Sequence, residues 1–223
     1  METPFIEIFG LHISEPMTLV TDYIISVMGI YYWKKLFDTK SFQKDMAKNS
    51  WAICFLFLGF TAFLGGTHHG FSFYLTPVLS KIFWKITVYS TGVISFLFVI
   101  GTAKGFFHTK TARIWGWIAG LKLMGYLAWV TFHSDFLYVV IDYLSSMIAV
   151  LVFSVIAFVK EKNISAPWLA AGVIGSLIGA GVQVGNLAPH RFFNHNDLYH
   201  VIQMGALYLF YRGARILSDK EEL

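Results

Sequence analysis

Eight histidines, thirteen acidic residues and one cysteine are spread unevenly along this chain of 223 residues. His68 and His69 are adjacent, and His195 and His200 lie five residues apart. Glu15, Asp22, Asp142 and Asp197 stand inside or at the edges of apolar runs. Neutral imidazole is the commonest zinc ligand, and a catalytic zinc takes three protein ligands and leaves one position to water. The metal brings the pKa of that water to about 7. A carboxylate beside it can orient a ligand or accept the water's proton. Cys54 lies inside an apolar run, so neither a disulfide framework nor a thiolate metal site is on offer.

The elements that must carry these residues follow from composition. The chain is 56% hydrophobic and 13% charged, with a mean hydropathy of +0.60, whereas a soluble domain carries about 25% charge. Apolar runs fall at roughly 16–33, 51–70, 79–102, 114–132, 136–159, 167–187 and 197–212, each near the ~20 residues that span hydrocarbon as a helix. They are continuous rather than alternating, which argues for helices and against a membrane β-barrel. The expected fold is an all-α membrane protein, a seven-helix bundle forming one domain over residues 1–223. The net charge of +4 is modest and lies in short connectors, the pattern of a membrane protein rather than a nucleic-acid surface. Residues 1–14 carry Glu2 and Glu7 and no basic residue, so they do not read as a cleaved signal peptide.

Basic residues set the expected orientation. Lys34, Lys35, Lys40, Lys44 and Lys48 fill the first connector. Lys104, Lys110 and Arg113 fill the third, Lys160 and Lys162 the fifth, and Arg212, Arg215 and Lys220 the tail. The other connectors hold almost none, Arg191 being the exception. The bias puts the odd connectors and the C-terminus in the cytoplasm and the N-terminus outside. His12, His68, His69, His133, His190, His195 and His200 then fall at the outer face, and only His108 on the basic side. His12, His133 and His190 read as interfacial residues.

Ionisable groups inside spans cost about 2.5–3.5 kcal/mol on insertion scales and normally face a partner in the bundle. Glu15, Thr18 and Asp22 share a stripe of the first helix. Asp135, Tyr138, Asp142, Ser145 and Ser146 share one on the fifth, and Asn196, His200 and Gln203 one on the seventh, with Asp197 at its edge. Asp22, Asp142 and His200 each lie about 6–9 Å below the outer surface. His68 or His69 with His200 and His195 could supply three zinc ligands. His195 and His200 are about 140° apart around a helix, however, and converge only if His195 precedes it. Asn196 and His200 do face one way, but Asn is a poor zinc ligand. The small residues Gly172, Gly175, Ser176, Gly179, Gly181 and Gly185 in the sixth span read as close helix packing.

Asn196-Asp-Leu-Tyr-His200-Val-Ile-Gln-Met-Gly-Ala-Leu-Tyr-Leu resembles the last span of the alkaline ceramidases and progestin/adiponectin-type receptors, which opens with His-x-x-x-His. Gly65-Gly-Thr-His68-His69 is similar to the Ser-x-x-x-His that closes their second span. Glu15-Pro-Met-Thr18-Leu-Val-Thr21-Asp22 is similar to the Glu-x-x-Asn-x-x-Ser/Thr-Asn run of their first. This resemblance, to a superfamily of seven-helix membrane hydrolases and receptors, covers all seven spans. It implies a zinc held by three histidines, a water-activated hydrolytic centre and a lipid amide such as ceramide as substrate. By position His200 matches the second ligand of the last span, and His69, with His68 as alternate, the ligand of the second. The first histidine of the last-span pair falls on Asn196, with His195 beside it, and the serine falls on Gly65 or Leu64. The third helix carries no acid, so Asp142 or Asp22 would replace the family's aspartate.

Three function classes are compatible with these residues. In a zinc-dependent hydrolase of a membrane lipid, Asp142 or Asp22 would be the acid/base and Thr67 a polarising donor. Lys81 and Lys85 could meet an anionic headgroup, although snorkelling suits them better. A receptor or sensor would keep the fold without turnover. A proton-coupled or small-molecule transporter would use Asp22, Asp142 and Lys122, since Lys122 sits near mid-membrane and needs a partner. A b-type haem protein fits poorly, because the deep halves of these helices have no facing histidine pair.

Overall fold

The computed structural model describes residues 4–39, 44–190 and 192–220; Glu2, Lys40 and Arg191, read above for charge, lie outside them. Each of the seven apolar runs is an α-helix. They are α1 (Pro16–Phe37), α2 (Met46–Phe71), α3 (Pro77–Phe106), α4 (Thr109–Phe132), α5 (Leu137–Glu161), α6 (Ala166–Val184) and α7 (His195–Ile216). Four helical segments among the described residues are long and apolar enough to cross a membrane: Met46–Tyr74, Pro77–Phe106, Leu137–Glu161 and Ala166–Val184. The chain is therefore a helical protein built to be embedded in a membrane. Helices α1, α4 and α7 have the length, at 22, 24 and 22 residues, but are less apolar, because they carry Asp22, Lys122 and the polar first turn of α7.

Local chemistry sets the helix boundaries. Pro16 and Pro77 occupy first-turn positions, where a missing N–H costs nothing. Asp45 accepts from Lys48 N at 3.0 Å and Thr76 from Leu79 N at 3.3 Å as N-caps. Asn194 and Asp197 close a reciprocal capping box on α7. At the start of α2, Asp219 of the tail accepts from Met46 N (2.9 Å) and Ala47 N (2.7 Å), tying the C-terminal segment to that helix.

Backbone proximity between helices gives the arrangement. Helices α1, α2, α3, α5, α6 and α7 form a ring in that order, α7 returning to α1, and α4 lies outside it against α3. Glycine permits the tightest crossing. A Cβ on Gly29 would stand 2.7 Å from Phe55 O and 2.8 Å from Gly59 Cα, so α1 and α2 touch backbone to backbone there. Gly172, Gly175 and Gly179 face Phe210, Ala206 and Tyr199 of α7, while Gly181 faces open space, so only the first part of the α6 glycine series is a helix contact. The half of the ring away from the N-terminus is plugged by aromatic rings. Trp51 lies 4.9 Å from Phe98 and 5.4 Å from Phe210, ring centre to ring centre, and Tyr32 stacks on Tyr211 at 4.4 Å.

A β-hairpin absent from the sequence reading covers the other end. Phe5–Ile8 (β1) pairs antiparallel with Leu11–Ser14 (β2) through a two-residue turn in which Phe9 (φ 51) and Gly10 (φ 78) both take positive φ, the geometry that matches strand twist. His12 N donates to Tyr74 Oη at 2.8 Å and its ring lies between Phe5 and Phe73, which seats the hairpin on the end of α2.

Candidate functional site

The hairpin delivers the chain to Glu15, the residue before α1. Glu15 takes a left-handed conformation (φ 42, ψ 56) and makes no side-chain cap, a strained choice for a non-glycine residue. Its carboxylate turns instead to α2, with Oε2 3.1 Å from His69 Nδ1. That hydrogen bond is the main cause holding the Glu15 carboxyl below its ordinary value; burial opposes it, and the charges of His69 and His195 add to the lowering.

Two turns of α1 face α7 through the same polar stripe. Thr18 Oγ1 donates to Asp197 Oδ1 at 2.8 Å, and Asp197 Oδ2 accepts from Asn194 N at 2.7 Å, so this buried carboxylate bolts α1 to the cap of α7. One turn deeper, Thr21 Oγ1 lies 2.9 Å from His200 Nδ1. The single hydroxyl hydrogen of Thr21 has backbone acceptors in Met17 O (2.9 Å) and Thr18 O (3.1 Å). With the hydrogen there, Oγ1 accepts from Nδ1–H, and the lone pair of the neutral ring is left on Nε2. Nε2 faces the buried Asp22 carboxylate, 3.5 Å from Oδ1. A nitrogen lone pair against a carboxylate calls for a proton or a cation between them.

His69 is held the same way. Its Nδ1 donates to Glu15, and Nε2 has no hydrogen-bond partner among the described residues. The glycines of α2 make room for the cluster. A Cβ on Gly66 would stand 2.8 Å from Asp22 Cβ, and one on Gly65 would meet Asp22 Oδ2 at 3.4 Å. The site thus unites α1, α2 and α7 at the hairpin end, above the aromatic plug.

The structure separates the other candidates. His68 turns to α3, its Nε2 2.7 Å from Ser80 Oγ, so of the two neighbours only His69 joins the cluster. His195 is the first residue of α7, not part of the preceding loop, so it does not converge with His200; its charge acts on Glu15 instead. Asn196 Oδ1 accepts from Gln183 Nε2 at 3.3 Å, towards α6. Thr67 Oγ1 donates to Phe63 O at 2.7 Å and pairs with Tyr23 Oη at 3.0 Å, which spends its hydrogen away from the cluster. Lys85 caps the C-terminus of α4, bonding Val130 O, Thr131 O (3.2 Å) and His133 O (3.5 Å). Asp142 lies across the ring from the histidines, paired with Lys122 at 2.9 Å.

Among the described residues no three His, Cys, Asp or Glu side chains are gathered closely enough to hold a metal as they stand. The donor chemistry nevertheless fits one. Two imidazoles and a carboxylate are a set that catalytic zinc uses, and metal-bound histidines are held through their other nitrogen by a carboxylate or a hydrogen-bonding oxygen. His69 and His200 have that arrangement through Glu15 and Thr21.

Residues 17–219 match the model of a family of unknown function (DUF6962), and the chain belongs to that family. No curated protein and no solved structure matches it.

Proposed function

We propose that the chain is a seven-span membrane hydrolase, N-terminus outside and C-terminus cytoplasmic, that binds zinc at His69, His200 and Asp22 and cleaves a lipid amide at the hairpin end. The observation that carries this reading is the pair of imidazoles fixed through Nδ1, with Nε2 of His200 set against Asp22. The basic connectors support the orientation. Asp22, Asp197 and His200 support the placement of α1 and α7 inside a bundle, since each has a protein partner on the facing helix. Motif resemblance to the alkaline ceramidases supports a ceramide-like substrate, and the departure at Gly65 has a physical counterpart: the space a serine side chain would enter borders Asp22 Oδ2.

When bound, zinc would supply Lewis acidity and a water activated near neutral pH. The chain's own residues do the rest. Glu15 and Thr21 orient the two imidazoles, Asp197 and Thr18 fix α1 against α7, and the Trp51–Phe98–Phe210 plug closes the far side to water. The lipid tail would lie between helices with its amide at the hairpin end.

Metal analysis of the purified protein is the test. We expect about one zinc per chain, lost in His69→Ala and in His200→Ala, and hydrolysis of a ceramide panel by wild type alone. Protein free of metal whose two variants behave as wild type would overturn the zinc site. Zinc without hydrolysis would favour a receptor or sensor of the same architecture.

A further inference from the structure

A second ionic site, sharing no residue with the first, lies where α3, α4 and α5 meet. Four oxygens surround Lys122 Nζ: Asp142 Oδ1 at 2.9 Å, Asp142 O at 2.7 Å, Ser95 Oγ at 2.9 Å and Ser146 Oγ at 2.7 Å. An ammonium has three hydrogens for these four acceptors. A fifth oxygen, Asp142 Oδ2, is buried beside them with no hydrogen-bond partner, on a residue 5% exposed.

We propose that this oxygen cage is a monovalent-cation site, that the Lys122 ammonium is its tethered occupant, and that sodium can take its place. One carboxylate, one backbone carbonyl and two hydroxyls converging on a point are hard oxygen ligands of the kind that bind hard metal cations. An ion pair serving only to tie α4 to α5 would need neither the carbonyl nor both hydroxyls, and it would not strand a carboxylate oxygen in a buried position. A metal ion, which is not limited to three directed hydrogens, can use the fifth oxygen. Exchange of sodium for the ammonium leaves the charge balance with Asp142 unchanged.

The surroundings allow the exchange. Helix α4 rests on α3 and barely touches α5. A groove of about 600 Å³, lined mostly by apolar side chains, runs between α4 and α5 from Lys160 to Ser145. Ser145 Oγ donates to Asp142 O at 2.8 Å, so the groove borders the cage. The Lys122 side chain is 30% exposed and can withdraw without parting two packed helices. Asp142 stands five residues after Leu137, the first residue of α5, a rise of about 7.5 Å, which places the cage in the hairpin-end half of that helix.

The test compares thermal unfolding of the purified full-length protein in sodium chloride and in choline chloride at equal ionic strength, with binding of radioactive sodium alongside. In Lys122→Ser we expect a saturable, sodium-specific rise in Tm and bound sodium at an apparent affinity at least tenfold tighter than wild type. Adding Asp142→Asn should abolish both. If Lys122→Ser does not fold, Lys122→Met, which fills the lysine stem, carries the same comparison. A folded lysine variant that binds no sodium and unfolds alike in both salts would overturn the proposal and leave Lys122 as a structural tie.

Discussion

Substitution of Gly66 by alanine probes whether the close approach of α2 to α1 sets the candidate centre. The added Cβ would stand 2.8 Å from Asp22 Cβ and 3.0 Å from Tyr23 Cδ1. Carbon pairs rest at about 3.5–4.0 Å, so the two helices must part by close to 1 Å or Asp22 must swing away. Neither neighbour is the free end of a long side chain, so the strain falls on backbone. Overpacking of this kind costs roughly 1–3 kcal/mol, and a chain of this size loses about 2–4 °C in Tm per kcal/mol. The same displacement acts on the 3.5 Å spacing of Asp22 Oδ1 and His200 Nε2, and misplacement by about 1 Å can reduce catalysis 100-fold. Gly65→Ala is the control, since its Cβ would meet Asp22 Oδ2 at 3.4 Å, an ordinary contact. Thermal unfolding in detergent and zinc titration of both variants provide the readout. Equal behaviour of the two would refute the claim that the α1–α2 crossing positions Asp22.

Thr21→Val keeps the β-branched shape and removes the oxygen that lies 2.9 Å from His200 Nδ1. Loss of such an outer partner typically lowers metal affinity 10–100-fold, so zinc titration should show a drop of that order with far-UV CD unchanged. Glu15→Gln tests the strained turn through pH. The Glu15 carboxyl is held below its ordinary value of 4.5 by the His69 hydrogen bond first, so its contribution to stability is present above that value and lost as pH falls through the lower folded one. The Tm difference between wild type and Glu15→Gln should therefore be full near pH 6 and shrink as pH drops below about 4.5; a difference that grows on acidification would contradict the assignment.

The helices were legible because each centres on an apolar run; α6 ends at Val184, three residues short of its run, and capping chemistry carried other boundaries outward. The start of α7 is an instance: Asn194 and Asp197, three apart where the apolar run begins, form a capping box, and that signal places His195 inside the helix. The distinction between His68 and His69 was also readable. Gly59, Gly66 and Gly70 mark the face of α2 against α1, and His69 follows Gly66 by three residues, which puts it on that face. The hairpin escaped because its strands are four residues each and its turn puts a phenylalanine, not Asn or Asp, at the first positive-φ position. Asp142 shared a depth with His200 but not a side of the ring. Depth follows from counting residues, whereas ring order depends on how six helices close on one another.

That ring order explains how the three less apolar helices are tolerated. Helices α1 and α7 are neighbours, so Thr18 meets Asp197 and Thr21 and Asp22 meet His200. Glu15 at the head of α1 reaches across to His69 on α2. Polarity on one helix is matched by polarity on the next, as a low-dielectric interior requires. Helix α4 has no such neighbour on both sides, and its one mid-helix charge crosses the gap to α5 rather than facing α3 alone. The residues that depress the hydropathy of α1, α4 and α7 are therefore the ones that specify which helices they adjoin. The same pairing concentrates the ionisable groups into two separate clusters, each at the junction of three helices.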